Sequence, residues 1–235
     1  MLPAHNIINK PDLQCSACFQ GGDNIKTSII ILAAGFSERM GVFKPLLQVG
    51  GRPAVLRSVY TAKDSGVNDI IVVTGHMCED IETVLSGEAP EVRIVRNSRF
   101  HEGMFSSVYA GVSALPEDLE GFFILPADCC AVSPGTLLVL MEEIGKTGES
   151  AVVYPVFEGR RGHPPLIPAR FIDELLSYNG KDGLRGFLSL LPGIYVQTDD
   201  RGVLLDMDTP EEYATLLMFL GLSDDDSGDR GRGRR

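Results

Sequence analysis

The sequence predicts an α/β domain built on a mostly parallel, twisted sheet with helices on both faces. Three observations carry that prediction. Short apolar, β-branched runs recur at residues 29–32, 69–74, 92–95, 121–125 and 151–156, the composition of strands buried on both faces. Segments with helical spacing separate them, the alternation that builds crossovers onto a parallel sheet. Gly35, Gly75, Asn97 and Asp128 each fall just past one of the first four runs. That brings them to one edge of such a sheet, where ligands bind in open α/β folds.

Taken in order, residues 1–26 hold Pro3, Pro11 and Gly21-Gly22 without sustained periodicity and read as an arm. The domain is expected over 27–222. Residues 29–32 form its first strand. Residues 53–65 read as a helix with Pro53 near its first turn. The strand at 69–74 ends in Thr74-Gly75-His76, and residues 78–85 have helical spacing. The strand at 92–95 is closed by Arg96-Asn97, and 104–115 is helical with small residues on one face. The strand at 121–125 runs into Pro126-Ala127-Asp128, followed by a helix at 134–144 and a strand at 151–156. The pattern then changes to a turn-rich basic segment at 158–165, short helices at 171–176 and 184–191, and a strand at 194–197. In Leu205-Asp206-Met207-Asp208-Thr209-Pro210, either Asp208 or Thr209 can cap a helix that has Pro210 in its first turn. Residues 223–235 are acidic, then Arg-Gly rich, and read as a solvated tail.

Composition narrows the function. The chain has 235 residues and a net charge of −11, which argues against non-specific nucleic-acid binding. No apolar run approaches the ~20 residues that span a bilayer, and the N-terminus lacks the layout of a signal peptide, so a cytoplasmic location is expected. The five cysteines are scattered, and Cys15-Ser-Ala-Cys18 has no second pair to complete a zinc set.

The stretch 29–47 carries the first chemistry. Leu32, Ala33, Ala34 and Gly35 lead into a loop holding Ser37, Arg39, Met40, Gly41 and Lys44. Small residues allow close backbone approach, Gly35 can adopt positive φ, and Arg and Lys suit a polyphosphate. The P-loop pattern and the dinucleotide glycine pattern are both absent. From residue types alone, a solvated basic loop remains open. Asp128 is placed as a Mg²⁺ ligand beside phosphates or as a turn or helix-cap aspartate before Ser133-Pro134. Asp206 and Asp208 alternate around Met207 and point the same way if extended, whether toward a metal or toward a helix cap.

Leu-Ala-Ala-Gly-x-Ser-x-Arg-Met-Gly-x-x-Lys-x-Leu-Leu, from Leu32 to Leu47, resembles the signature loop of the MobA-like nucleotidyltransferases, and within them the molybdenum cofactor cytidylyltransferases. The resemblance extends over residues 27–220. It implies a Rossmann-like nucleotidyltransferase fold, with CTP as co-substrate, Mg²⁺ as cofactor and molybdopterin as acceptor. It also implies a molybdoenzyme or its chaperone as a partner for the product. Arg39, Lys44 and Asp128 become the catalytic candidates. Thr74, Gly75, Asn97, Ser106, Ser107 and Ala127 join the loop residues as nucleotide-binding candidates. Asp128 and Asp208 become the metal-side carboxylates, with Asp206 as neighbour, and Arg161 and His163 border the second substrate. The guanylyl branch has Leu-Ala-Gly-Gly where this chain has Leu-Ala-Ala-Gly, so Ala34, with Ser37, points to CTP. One departure stands out: Cys129-Cys130 follows Asp128 where the family has Asp-x-Pro. The alternatives are a GTP-using or sugar-phosphate nucleotidyltransferase of the same fold, or a protein that binds molybdopterin or nucleotide without turnover.

Overall fold

Strand β2 (Thr27–Ala33) sits inside a nine-stranded sheet, parallel to β5 (Asp69–Thr74) on one side and β7 (Gly121–Pro126) on the other. The computed structural model describes residues 7–9, 25–37, 40–67 and 69–223. Beyond β5 lies β6 (Arg93–Arg96), also parallel. On the other side, β10 (Leu166–Pro168) runs antiparallel between β7 and β8 (Val152–Phe157). Then come β11 (Gly193–Gln197) and β1 (Ile7–Asn9), each parallel to its neighbour. The short β9 (Arg160–Arg161) folds back on β8 as a hairpin. A separate ribbon pairs β3 (Gln48–Val49) with β4 (Arg52–Pro53).

The apolar runs bury both faces, as a parallel sheet requires. Ile29 and Ile31 of β2 pack with Ile70, Val72, Phe123 and Leu125 in one cluster. Ile30 and Leu32 face the opposite cluster with Ile71, Val73, Phe122 and Ile124. Helices α1 (Ala54–Asp64), α2 (Cys78–Glu88) and α4 (Pro134–Thr147) cover the first face through Val59, Leu85 and Leu140. Helices α3 (Met104–Val112), α5 (Ile172–Ser177) and α6 (Gly183–Leu188) cover the second through Val108, Leu175 and Phe187. Helix α7 (Pro210–Phe219) contributes Leu216 and Leu217 to a third cluster with Val49, Ala54 and Met207. Among the described residues no helix is long and apolar enough to cross a membrane.

Besides the short ribbon β3–β4 and the hairpin strand β9, two features depart from the sequence pattern. Strand β10 was not expected, because three residues show no period and Pro164, Pro165 and Pro168 around it argue against a strand. Its position at the junction of the two parallel halves, with no need for a crossover helix, lets so short a piece complete the sheet. The segment read as an arm supplies β1, whose Ile8 pairs with Val196 at the sheet edge. The Cys15–Cys18 motif and residues 224–235 lie outside the described residues.

Candidate active site

The loops after β2 and β7 meet the segment before α7 at the carboxyl edge of the sheet, around a cleft of about 510 Å³. Leu32, Ala33, Ala34 and Gly35 form one wall, with Ser37 and Lys44 beyond them. Ala127, Asp128, Asp208 and Ser107 line it from the other elements. Ten of the residues singled out from sequence therefore share one cavity. Gly35 does not supply the positive φ expected of it. That conformation belongs to Ser37 (φ 59°) and Gly41 (φ 70°). A Cβ on Gly35 would meet nothing within 4 Å, so the glycine leaves open space beside the cleft.

Lys44 is the centre of the site. It is only 8% exposed. Its main-chain N–H donates to Ser37 Oγ at 3.1 Å, tying it to the loop. Its ammonium donates to Asp128 Oδ2 at 3.0 Å and also to Asp208 Oδ1. Burial alone would lower the lysine pKa, but the hydrogen bond to Asp208 and the charge and bond of Asp128 raise it above the ordinary value. The amine is therefore held as a cation.

Neither aspartate is a helix cap. Helix α7 is capped by Thr209, whose hydroxyl accepts from Glu212 N–H while the Glu212 carboxylate accepts from Thr209 N–H. Helix α4 is capped by Ser133, with Asp200 accepting from Ser133 N–H and Thr136 Oγ1. With both caps supplied elsewhere, the carboxylates of Asp128 and Asp208 converge on one cation. Asp206 stands beside them. Burial, Glu212 and the carboxylates of Asp208 and Asp128 hold its pKa above the usual range, against the pull of Lys44.

Other candidates lie at the border or behind the wall. Arg39 lies outside the described residues. Met40 N–H donates to Ser37 O, so Met40 and Gly41 shape the loop rather than line the cleft. Thr74 is fully buried. Gly75 is required by packing, since a Cβ there would lie 2.7 Å from Phe100 Cβ and 2.9 Å from Ala34 Cβ. The Asn97 side chain donates to Ser106 Oγ (2.8 Å) and Ser107 Oγ (2.9 Å) and accepts from Arg99 N–H. Asn97 thus orders the start of α3, and of the two serines Ser107 lines the cleft. Arg161 lays its guanidinium 4.6 Å over the Tyr154 ring. His163 N–H donates to Val203 O, which seats the turn after β9 against the segment leading to Asp206. The His163 residue is exposed, yet protein around its imidazole desolvates it and lowers its pKa. The nearby Asp128 carboxylate opposes that shift and Arg161 reinforces it.

Sequence reasoning missed the aromatic side of the cleft. Phe36, Phe100 and His101 line it. Phe36 packs its ring 5.1 Å from both His76 and Phe100. Their signal was position: each follows a strand on the ligand edge. Cys129 and Cys130 are buried in two different clusters. Burial, reinforced for Cys129 by Asp128, pushes the Cys129 thiol well up and the Cys130 thiol up to about 12. They act as small core residues behind Asp128.

The MobA-like NTP transferase domain matches residues 29–198, most of this chain. The chain belongs to that family. As a MobA-like nucleotidyltransferase it has relatives with more than one acceptor. It is similar to the molybdenum cofactor cytidylyltransferase of Escherichia coli (strain K12), with 25% identity over 186 residues, 79% of this chain and 93% of that protein. It is similar to the 2-aminoethylphosphonate cytidylyltransferase of Lancefieldella rimae, with 35% identity over 118 residues, 48% of this chain and 47% of that protein. Its fold is shared with a nucleotidyl transferase from Methanothermobacter thermautotroptrophicus, at a TM-score of 0.71 and 23% identity over 83% of this chain and 97% of that one. The family match ends before Asp208, so the contact with Lys44 brings a residue beyond the matched segment into the MobA-like site.

The donor set, two carboxylates at the cleft, suits a hard divalent cation. Two carboxylates already share one positive charge. Among the described residues no group of three or more His, Cys, Asp or Glu side chains is placed to hold a metal alone. Mg²⁺ is usually held in that way, by one or two carboxylates with substrate phosphates and waters.

Proposed function

We propose that this nucleotidyltransferase transfers CMP from CTP to the terminal phosphate of molybdopterin, with release of pyrophosphate and dependence on Mg²⁺. The observation that carries the reading is the convergence of Asp128 and Asp208 on one cation, in the same cleft that Leu32–Gly35 line. Similarity to the E. coli molybdenum cofactor cytidylyltransferase over nearly all of that protein supports the substrates.

An acceptor phosphate oxygen attacks the α-phosphorus, the bond from that phosphorus to the bridging oxygen breaks, and pyrophosphate leaves. A phosphate nucleophile is already ionised near neutral pH, so the protein contributes positioning and charge stabilisation rather than a strong base. Asp128 and Asp208 would hold Mg²⁺, which supplies charge neutralisation at the reacting phosphate when bound. Lys44, and Arg39 from the same loop, would stabilise negative charge on the leaving pyrophosphate. Ala33, Ala34 and Ser107 would border the nucleoside, and Arg161 and His163 the acceptor. The product would pass to a molybdoenzyme or its chaperone.

A second reading keeps CTP and changes the acceptor to a small phosphonate or phosphate, as favoured by the similarity to the 2-aminoethylphosphonate cytidylyltransferase. The test is pyrophosphate release from CTP and from GTP, each with molybdopterin and with 2-aminoethylphosphonate. Turnover only with CTP and molybdopterin is expected. Turnover with GTP alone, or with the phosphonate alone, would overturn the first reading.

A further inference from the structure

The position of Lys44 has a consequence for the order in which the site fills. Its ammonium bonds to the same two carboxylates that the proposed function assigns to the metal. A divalent cation and an ammonium compete for that pair of carboxylates, because two cations drawn to the same anions within a few ångströms repel each other. From the arrangement around Lys44 we infer that this lysine is an exchangeable cation, holding the Asp128 and Asp208 carboxylates together until metal and nucleotide arrive jointly and displace it.

The geometry supports the exchange at both ends of the side chain. At the near end, the lysine main chain is pinned to Ser37 Oγ in the loop that borders the cleft. The amine can therefore leave the carboxylates without moving the backbone, since a lysine stem is flexible and its head is a point charge. At the far end, both carboxylates sit within bonding distance of one nitrogen. Without a cation between them Asp128 and Asp208 would repel. The lysine side chain is 10% exposed and those of Asp128 and Asp208 are 22% and 23% exposed, so water screens that repulsion incompletely. Triphosphate in the cleft offers the ammonium a new anionic partner, and the metal takes over its old ones. Metal and nucleotide then help each other bind, and by linkage the help is equal in both directions.

This inference rests on the metal reading of Asp128 and Asp208, and the experiment separates the two. Mn²⁺ alone, without nucleotide, is titrated into the purified full chain, into Lys44→Met and into the double variant Lys44→Met/Asp128→Asn, with bound metal followed by electron paramagnetic resonance. Lys44→Met is expected to bind Mn²⁺ at least about tenfold more tightly than the parent, within the usual range of coupling between sites. The double variant is expected to lose that gain. Equal or weaker binding by Lys44→Met would overturn the exchange. A gain that persists in the double variant would place the metal away from Asp128 and sink the metal reading itself. Should Lys44→Met fail to fold, a crystal structure of the parent saturated with Mn²⁺ decides. Lys44 Nζ withdrawn from both carboxylates supports the inference, and Lys44 still bonded to both overturns it.

Discussion

Replacing Asp128 by alanine separates chemistry from architecture at this site. The side chain lies past the end of β7, is 22% exposed, and makes one strong contact, the 3.0 Å bond from Lys44. A charge-assisted hydrogen bond is worth roughly 1.5–3 kcal/mol, but its loss here is partly offset. Lys44 keeps Asp208, so no buried charge is left alone. Removing Asp128 also takes away one like charge beside Asp206, whose raised pKa owes most to burial and Glu212. A net loss of about 1 kcal/mol follows, which for a chain of this length lowers Tm by about 2–4 °C. Turnover should respond far more. If Asp128 holds the metal against the reacting phosphate, its loss should cost on the order of a hundredfold to a thousandfold in rate. The assay is thermal melting beside pyrophosphate release, for parent and variant, over a range of Mg²⁺. A variant that melts earlier but turns over normally would refute the assignment.

Three further outcomes are expected. Thr209→Ala removes the α7 capping box and should cost about 1 kcal/mol, seen as a lower melting temperature with turnover per folded molecule unchanged; a collapse of turnover would mean that the cap positions Asp208. Removal of residues 1–24 takes away β1 and exposes the edge of β11, while Ile25, packed against the core, remains. The shortened chain should stay folded and bind CTP by calorimetry as the parent does, and loss of binding would make the N-terminal segment part of the site. Native alkylation at pH 8, read residue by residue by mass spectrometry, should modify the half-buried Cys78 well before Cys129 and Cys130. A raised thiol pKa leaves less thiolate at that pH, and burial blocks access; rapid labelling of Cys130 would contradict its packing.

The sheet and its ligand edge were legible because each strand carries its own signal. Four-residue apolar runs such as Ile29–Leu32 bury both faces wherever they sit, and Gly35 or Asp128 directly after such a run must reach the carboxyl edge. The placement of the loop was legible for the same reason, and Gly35, Ser37 and Lys44 line the cleft at that edge. Other features depended on partners distant in sequence. Strand β10 is three residues long and exists only because β7 and β8 leave a gap of one strand between them. Asn97 carries a side chain fit for a ligand, yet Ser106 and Ser107 lie within its reach, so its amide orders α3. Most of all, sequence could not choose between capping and cation binding for Asp128 and Asp208, because both uses suit an aspartate before a helix. Tertiary structure made that choice by supplying the caps from Ser133 with Asp200 and from Thr209 with Glu212. It also carried Lys44 across 84 and 164 residues of chain to stand between the two carboxylates. A chain reveals locally what each residue can bind; only the fold, by bringing other residues within bonding distance, decides which of those bonds is made.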